Sequence, residues 1–204
     1  MTTTVHLVRH GRTAWHEPVR FAGSSDIPLD ETGRQQARRL AQWARTEPLT
    51  SLLCSDLDRA RATAQAVAQV AGLEVAVDPR WREPDFGIAE GRTLAEMRVE
   101  APEAAALFER DPAAHPWPGA EAPDDVAVRG RAAIASAVAL DPGGTVLVVA
   151  HSTLIRLVVC AVLGVRLGDY RAVLPRLDPT SRTTLLVRPD GSTGLIAYNT
   201  PTGT

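Results

Sequence analysis

An arginine, a histidine and a glycine, Arg9-His10-Gly11, close the apolar run Val5 to Val8, and a second histidine, His151, closes the run Val146 to Ala150. Both runs read as β-strands, and α/β proteins place their ligands just beyond strand ends. A neutral imidazole is a competent nucleophile towards phosphorus, and a reference pKa of about 6.5 keeps it neutral at physiological pH. A phosphoryl group moving onto such a ring needs its oxygens clamped by cations, because positioning and charge stabilisation dominate that chemistry. His10 is therefore the candidate nucleophile and Arg9 a candidate phosphate ligand, while Gly11 lets backbone and ligand approach closely. His151 offers an N–H to a phosphoryl oxygen, and Ser152-Thr153 open a helical pattern whose free backbone amides suit an anion.

Two further groups fit the same chemistry. In Cys54-Ser55-Asp56-Leu57-Asp58-Arg59 a strand ends and a helix begins, which puts Arg59 in a first turn near the same sheet edge. Basic residues sit better in a last turn, so this placement calls for an anion, or an acidic cap such as Asp56. Arg61 reads as a plain surface residue. Glu83, in Trp81-Arg82-Glu83-Pro84-Asp85-Phe86-Gly87, is a candidate general acid, its proton affinity raised by desolvation and by like charge. Asp85 and Glu90 compete for that role on composition alone. Metal binding by His10 and His151 is the rival reading, but no His-x-x-x-His, Cys-x-x-Cys or carboxylate cluster accompanies them, so no metal and no cofactor is expected.

The whole chain has 204 residues, 45% hydrophobic and 23% charged, as ordinary soluble globular proteins do. No Pro/Gly/Ser-rich linker divides it, so residues 1–204 read as one domain. A net charge of -2 argues against a nucleic-acid partner. All 22 basic residues are arginine, which excludes Schiff-base and P-loop lysine chemistry. The N-terminus shows no signal-peptide pattern, and the apolar runs around Val146 and Leu157 are broken by His151 and Arg156, so no membrane span is expected. Cys54 and Cys160 sit in apolar patterns as buried thiols, consistent with a cytoplasmic protein.

The elements that must position these groups follow from periodicity. A helix capped by Asp30 or Thr32 runs to about Arg45, Leu52 to Cys54 form a short strand, a helix runs from about Leu57 to Ala71 before Gly72, and Leu73 to Val77 form another strand. This rhythm predicts right-handed crossovers and a mostly parallel sheet covered on both faces. A proline-broken middle carries helical patterns at 94–97, 104–109 and 126–140, read as an excursion over the ligand-binding edge. Trp117 there either shapes the leaving-group pocket or is a structural loop aromatic. Residues 182–187 and 195–198 form closing strands around Pro189-Asp190-Gly191.

From about Val5 to Val165 these ordered motifs resemble the histidine phosphatase superfamily, the branch containing cofactor-dependent phosphoglycerate mutases. The resemblance implies a three-layer αβα sandwich with a mostly parallel central sheet, His10 as the residue that becomes phosphohistidine, Arg59 as a phosphate ligand, Glu83 as proton donor and His151 as the second histidine. Thr13, Trp15, Arg20, Gly23, Asp26 and Gly33 match the segment after the first motif, so Thr13, His16, Arg20 and Ser152 join the candidate phosphate-binding residues. Pro118-Gly119-Ala120-Glu121 resembles a Pro-Gly-Gly-Glu loop but lacks the usual Ser or Thr after its Glu. His16 replaces the usual asparagine and can donate in a particular charge state. Ser152-Thr153 replace Gly-Gly or Gly-Asn and crowd the pocket.

Three functions fit. The chain is expected to be a phosphatase hydrolysing a small-molecule phosphomonoester. The alternatives are a mutase returning the phosphoryl group to another hydroxyl, and a non-catalytic phospho-ligand binding protein. Retention of Arg9, His10, Arg59, Glu83 and His151 disfavours the last. A short middle with few basic residues besides Arg92, Arg98 and Arg110 disfavours the mutase. The substrate and the oligomeric state are not legible in the sequence.

Overall fold

The computed structural model describes residues 1–202. Six strands form one sheet: β1 (Thr3–Arg9), β2 (Ser51–Cys54), β3 (Val75–Val77), β4 (Thr145–Ala150), β5 (Arg182–Val187) and β6 (Thr193–Thr200), in the order β3-β2-β4-β1-β5-β6. The first four are parallel, and β5 and β6 add an antiparallel hairpin at one edge. Seven helices surround them: α1 (Glu31–Ala44), α2 (Asp58–Ala71), α3 (Leu94–Glu100), α4 (Pro102–Arg110), α5 (Pro123–Leu140), α6 (Ser152–Leu163) and α7 (Tyr170–Val173).

Alternation along the central strands builds the layers. Val5 and Leu7 of β1 join Val146, Val148 and Ala150 of β4 in a core completed by α5 and α6. Val8, Leu147 and Val149 face the other way, against Leu40 and Ala44 of α1 and Ala60, Ala64 and Val67 of α2. The expected sandwich is therefore what forms, with both cysteines buried as free thiols. No helix among the described residues is long and apolar enough to cross a membrane.

Local signals set the helix ends. Asp30, not Thr32, caps α1 by accepting the Gly33 N–H at 2.7 Å, and Gly72 and Gly164 end α2 and α6 in left-handed conformations. The middle segment packs its own small core of Phe21, Phe86, Met97, Phe108 and Trp117. Trp117 stacks on Phe108 with ring centroids 4.4 Å apart, so of its two readings the structural aromatic holds.

One contact ties the outer layer to the site. The start of α1 lies so close to residues 10–13 that a Cβ on Gly33 would sit 2.0 Å from the Arg12 carbonyl oxygen, and one on Gly11 2.6 Å from that of Gly33. Both obstacles are backbone and cannot rotate away. Gly33→Ala is expected to destabilise the fold by about 1–3 kcal/mol, the range for overpacking, measured by denaturant unfolding. An unchanged unfolding midpoint would show that the loop gives way without cost.

Candidate active site

Parallel pairing of β1 with β4 sets Arg9 opposite Ala150, so the next residues, His10 and His151, emerge side by side. The His10 N–H donates to the Ala150 carbonyl at 3.0 Å, and the two imidazole centroids are 5.0 Å apart. His10 Nδ1 lies 2.7 Å from the Gly11 carbonyl oxygen. A carbonyl only accepts, so the ring proton sits on Nδ1 and the lone pair on Nε2. Burial, then the fields of His151, Arg59, Arg9 and His16, hold the pKa of His10 well below the usual histidine value. His151 is fully buried with neither ring nitrogen hydrogen-bonded, and burial with Arg59 and Arg9 lowers its pKa likewise.

Arg9 donates from Nη1 to the Leu177 carbonyl at 2.6 Å and from Nη2 to His16 Nε2 at 2.7 Å. Since guanidinium never accepts, His16 accepts from Arg9 through Nε2. Its Nδ1 lies 3.1 Å from the Thr13 hydroxyl, and burial and Arg9 lower its pKa to about 4. Arg59, almost fully buried, donates to the carbonyls of Ala22, Gly23 and Ser25. It braces the loop between β1 and α1, and its charge reaches His10, His151 and Glu83. The expected acidic cap does not form. Asp56 is ion-paired with Arg82 at 2.7 Å, and Asp26 instead takes the Asp58 N–H at the start of α2. Arg61 is exposed, as expected.

Glu83 corrects two expectations. Two of the amides after His151 are not free: those of Thr153 and Leu154 donate to the two carboxylate oxygens of Glu83 at 3.0 and 2.9 Å. Glu83 is thus the anion at the N-terminus of α6. Burial raises its pKa, while these amides, Arg59 and Arg9 oppose the rise, so desolvation acts without the like charge anticipated for it. The competing carboxylates are engaged elsewhere. Asp85 accepts the Gly87 N–H, and Glu90 accepts the N–H groups of Gly23 and Ser25.

Arg9, His10, Thr13, His16, Glu83 and Ser152 line one cavity of about 560 Å³, with Arg20 at its side, ion-paired to Glu96 at 2.8 Å. Arg59, His151 and Trp117 are not among its lining residues. Among the described residues no group of three His, Cys, Asp or Glu side chains could hold a metal ion. Sequence reasoning missed Arg129, which pairs with Glu121 and donates to the carbonyls of Arg80 and Arg82, fastening the strand of chain that carries Glu83. It also missed Arg156, Arg171 and the 175–178 segment, which complete the cavity wall. Arg156 had a visible signal, a charge inside the apolar run of α6. The others had none.

Fold and site together define a phosphohydrolase-like α/β protein, and comparison with known proteins agrees. Residues 5–200 match the model of the histidine phosphatase superfamily (branch 1), and the chain belongs to that family. It is an enzyme of the histidine phosphatase type. The proteins named probable phosphoglycerate mutase GpmB from Photorhabdus laumondii and from an Enterobacter species are 37% and 36% identical to it, over 78% of this chain and 74% of theirs. The structure of mycobacterial glucosyl-3-phosphoglycerate phosphatase with VO3 superimposes with a TM-score of 0.88 at 31% identity, covering 97% of this chain and 99% of that one. Bacillus stearothermophilus YhfR gives 0.90 at 31%, covering 97% of each.

The buried imidazoles carry a consequence for stability. His6 and His16 have pKa values lowered to about 4, and His10 and His151 are lowered well below their usual value. Below about pH 6.5 the unfolded chain takes up protons that the folded chain refuses, so stability falls with pH by up to about 1.4 kcal/mol per unit for each such proton. Glu83 acts with the opposite sign, as one group against four. Tm should therefore drop steadily from pH 7 to pH 5 in thermal melts, and a Tm that stays level over that range would contradict this balance.

Proposed function

We propose that this chain is a single-domain, metal-independent phosphatase that hydrolyses a small phosphomonoester through a phosphohistidine on His10. The observation that carries the reading is the His10–Gly11 hydrogen bond, which fixes the proton on Nδ1 and leaves Nε2 as a lone pair against the cavity. Nε2 attacks phosphorus as the bond to the leaving oxygen breaks, with Arg9 and Arg59 stabilising the charge on the transferring group. Glu83 gives its proton to that oxygen and the alcohol departs. Water then attacks phosphorus, Glu83 takes the water proton, the P–N bond breaks, and phosphate leaves with His10 restored. His151 donates to a phosphoryl oxygen, and Thr13, His16, Arg20 and Ser152 shape the surrounding shell.

A mutase reading draws on the relatives named for that activity. The near-complete mutual coverage with the mycobacterial phosphatase favours hydrolysis. So does the middle segment, none of whose arginines lines the cavity. Rapid labelling by a phosphorylated substrate should give an acid-labile phosphoprotein, absent in His10→Ala, and phosphate release should need no bisphosphate activator. Interconversion of 2- and 3-phosphoglycerate faster than phosphate release, dependent on bisphosphoglycerate, would replace this reading with the mutase.

Glu83→Gln keeps the size of the side chain and, through its carbonyl oxygen, one of the two amide contacts, but it removes the proton. It should slow esters with poor alkoxide leaving groups by about 10²–10⁴-fold and slow aryl phosphates much less. Equal losses on both classes would assign Glu83 a positioning role alone.

A further inference from the structure

We infer that Arg156, with Arg171 beside it, forms a second anion subsite, so that the phosphomonoester carries another acidic group, carboxylate or phosphate, on its alcohol portion. This rests on the phosphatase reading and extends it to substrate class.

Arg156 lies one helical turn beyond Ser152 on α6, and both side chains face the cavity that holds His10. It is 9% exposed. Among the described residues its guanidinium makes no hydrogen bond and no ion pair, and its Nε is buried without a partner. The other buried cations of the site also have a partnerless Nε, but their Nη groups are engaged: Arg9 donates to Leu177 and His16, and Arg59 to three carbonyls, whereas no Nη of Arg156 donates to any described residue. What Arg156 does have is the ring of Tyr170, 4.6 Å below its guanidinium carbon, which fixes the plane of the fork and leaves its edge open. A buried unpaired charge is costly unless a counter-ion arrives.

The cavity's own charges do not supply that counter-ion. Five arginines line it against two carboxylates, Glu83 and Asp178. Asp178 is paired with Arg176 at 2.6 Å, Arg20 is paired with Glu96, and Glu83 is held by the α6 amides. Arg156 and Arg171 are left without a carboxylate partner among the described residues, Arg171 lying over Phe108 at the rim. A cavity of about 560 Å³ is far larger than one phosphoryl group, so the leaving portion also sits inside it. An acidic group on that portion meets Arg156 while its phosphoryl group meets Arg9 and His10.

The test uses matched esters. D-3-phosphoglycerate and sn-glycerol 1-phosphate differ only by a carboxylate for a hydroxymethyl group, and propane-1,3-diol bisphosphate and its monophosphate differ by one phosphate. In the wild-type protein at least one acidic member should exceed its neutral partner in kcat/KM by about 10–100-fold, mostly through KM, the size of a charge-assisted pair. The carboxylate pair and the bisphosphate pair distinguish the two anions. Arg156→Met, which keeps the apolar stem, should reduce the ratio to below about threefold, and Arg156→Lys should retain part of it. Calorimetric binding of the same pairs to His10→Ala reads the subsite without turnover. Failure to hydrolyse any of these esters, or 4-nitrophenyl phosphate, overturns the phosphatase reading and leaves the calorimetry to decide the subsite. Equal kcat/KM and equal affinity within both pairs, or a preference that survives Arg156→Met, overturns the subsite.

Discussion

Parallel pairing of β1 with β4, Arg9 opposite Ala150, is the constraint on which the rest of the site depends. It makes two imidazoles neighbours although 141 positions separate them in the chain. β4 is apolar on both faces, so its own pattern would tolerate a slip. β1 is also held by contacts to other elements. His6 bonds through Nδ1 to the Thr184 hydroxyl on β5 and stands edge-on to Trp43 of α1, an arrangement that a one-residue shift of β1 against β5 and α1 would break. The close approach of Gly33 to Arg12 then holds the loop after β1 at a fixed height above the sheet.

The fold concentrates positive charge where water is scarce. Arg9, Arg59 and Arg156 are all partly stripped of solvent, and burial lowers the proton affinity of each. Backbone carbonyls neutralise none of this charge, although they accept from Arg9 and Arg59. The result is an electrostatic environment prepared before the ligand arrives, in which the imidazoles are forced neutral and an anion is favoured. Neutrality is what His10 needs in the proposed mechanism, where the same cations serve the phosphate and the nucleophile at once.

Elements with strong periodicity were legible in the sequence: both central strands, α1 with its Asp30 cap, and α2 ending at Gly72. So was the placement of Arg9, His10 and His151, because a strand end is a local signal. The partners of Glu83 were not legible, since amides at a helix start look the same whether they await a ligand or hold a carboxylate from a segment 70 residues away. Arg129 was missed because its role lies in two carbonyls of a distant loop, a contact that leaves no mark on composition. The Asp56 cap failed for a related reason: a nearer cation, Arg82, competes for its carboxylate.

Glu83 shows how the proposed chemistry couples to charge rather than to motion. Its proton affinity is raised by burial and held back by two amides, Arg59 and Arg9. A phosphomonoester dianion drawn to the arginines neutralises part of the field that holds the affinity down and adds like charge, and both effects push the pKa further up. In the proposed mechanism, substrate binding thus favours the protonated form of the acid. Once the alcohol has left, the same carboxylate faces water with one negative group fewer in the cavity, and it is better able to remain ionised and accept a proton. No movement of the side chain is needed for this exchange of roles. The carboxylate is fixed to the first turn of α6, and that turn follows directly from the strand that brings His151 to His10.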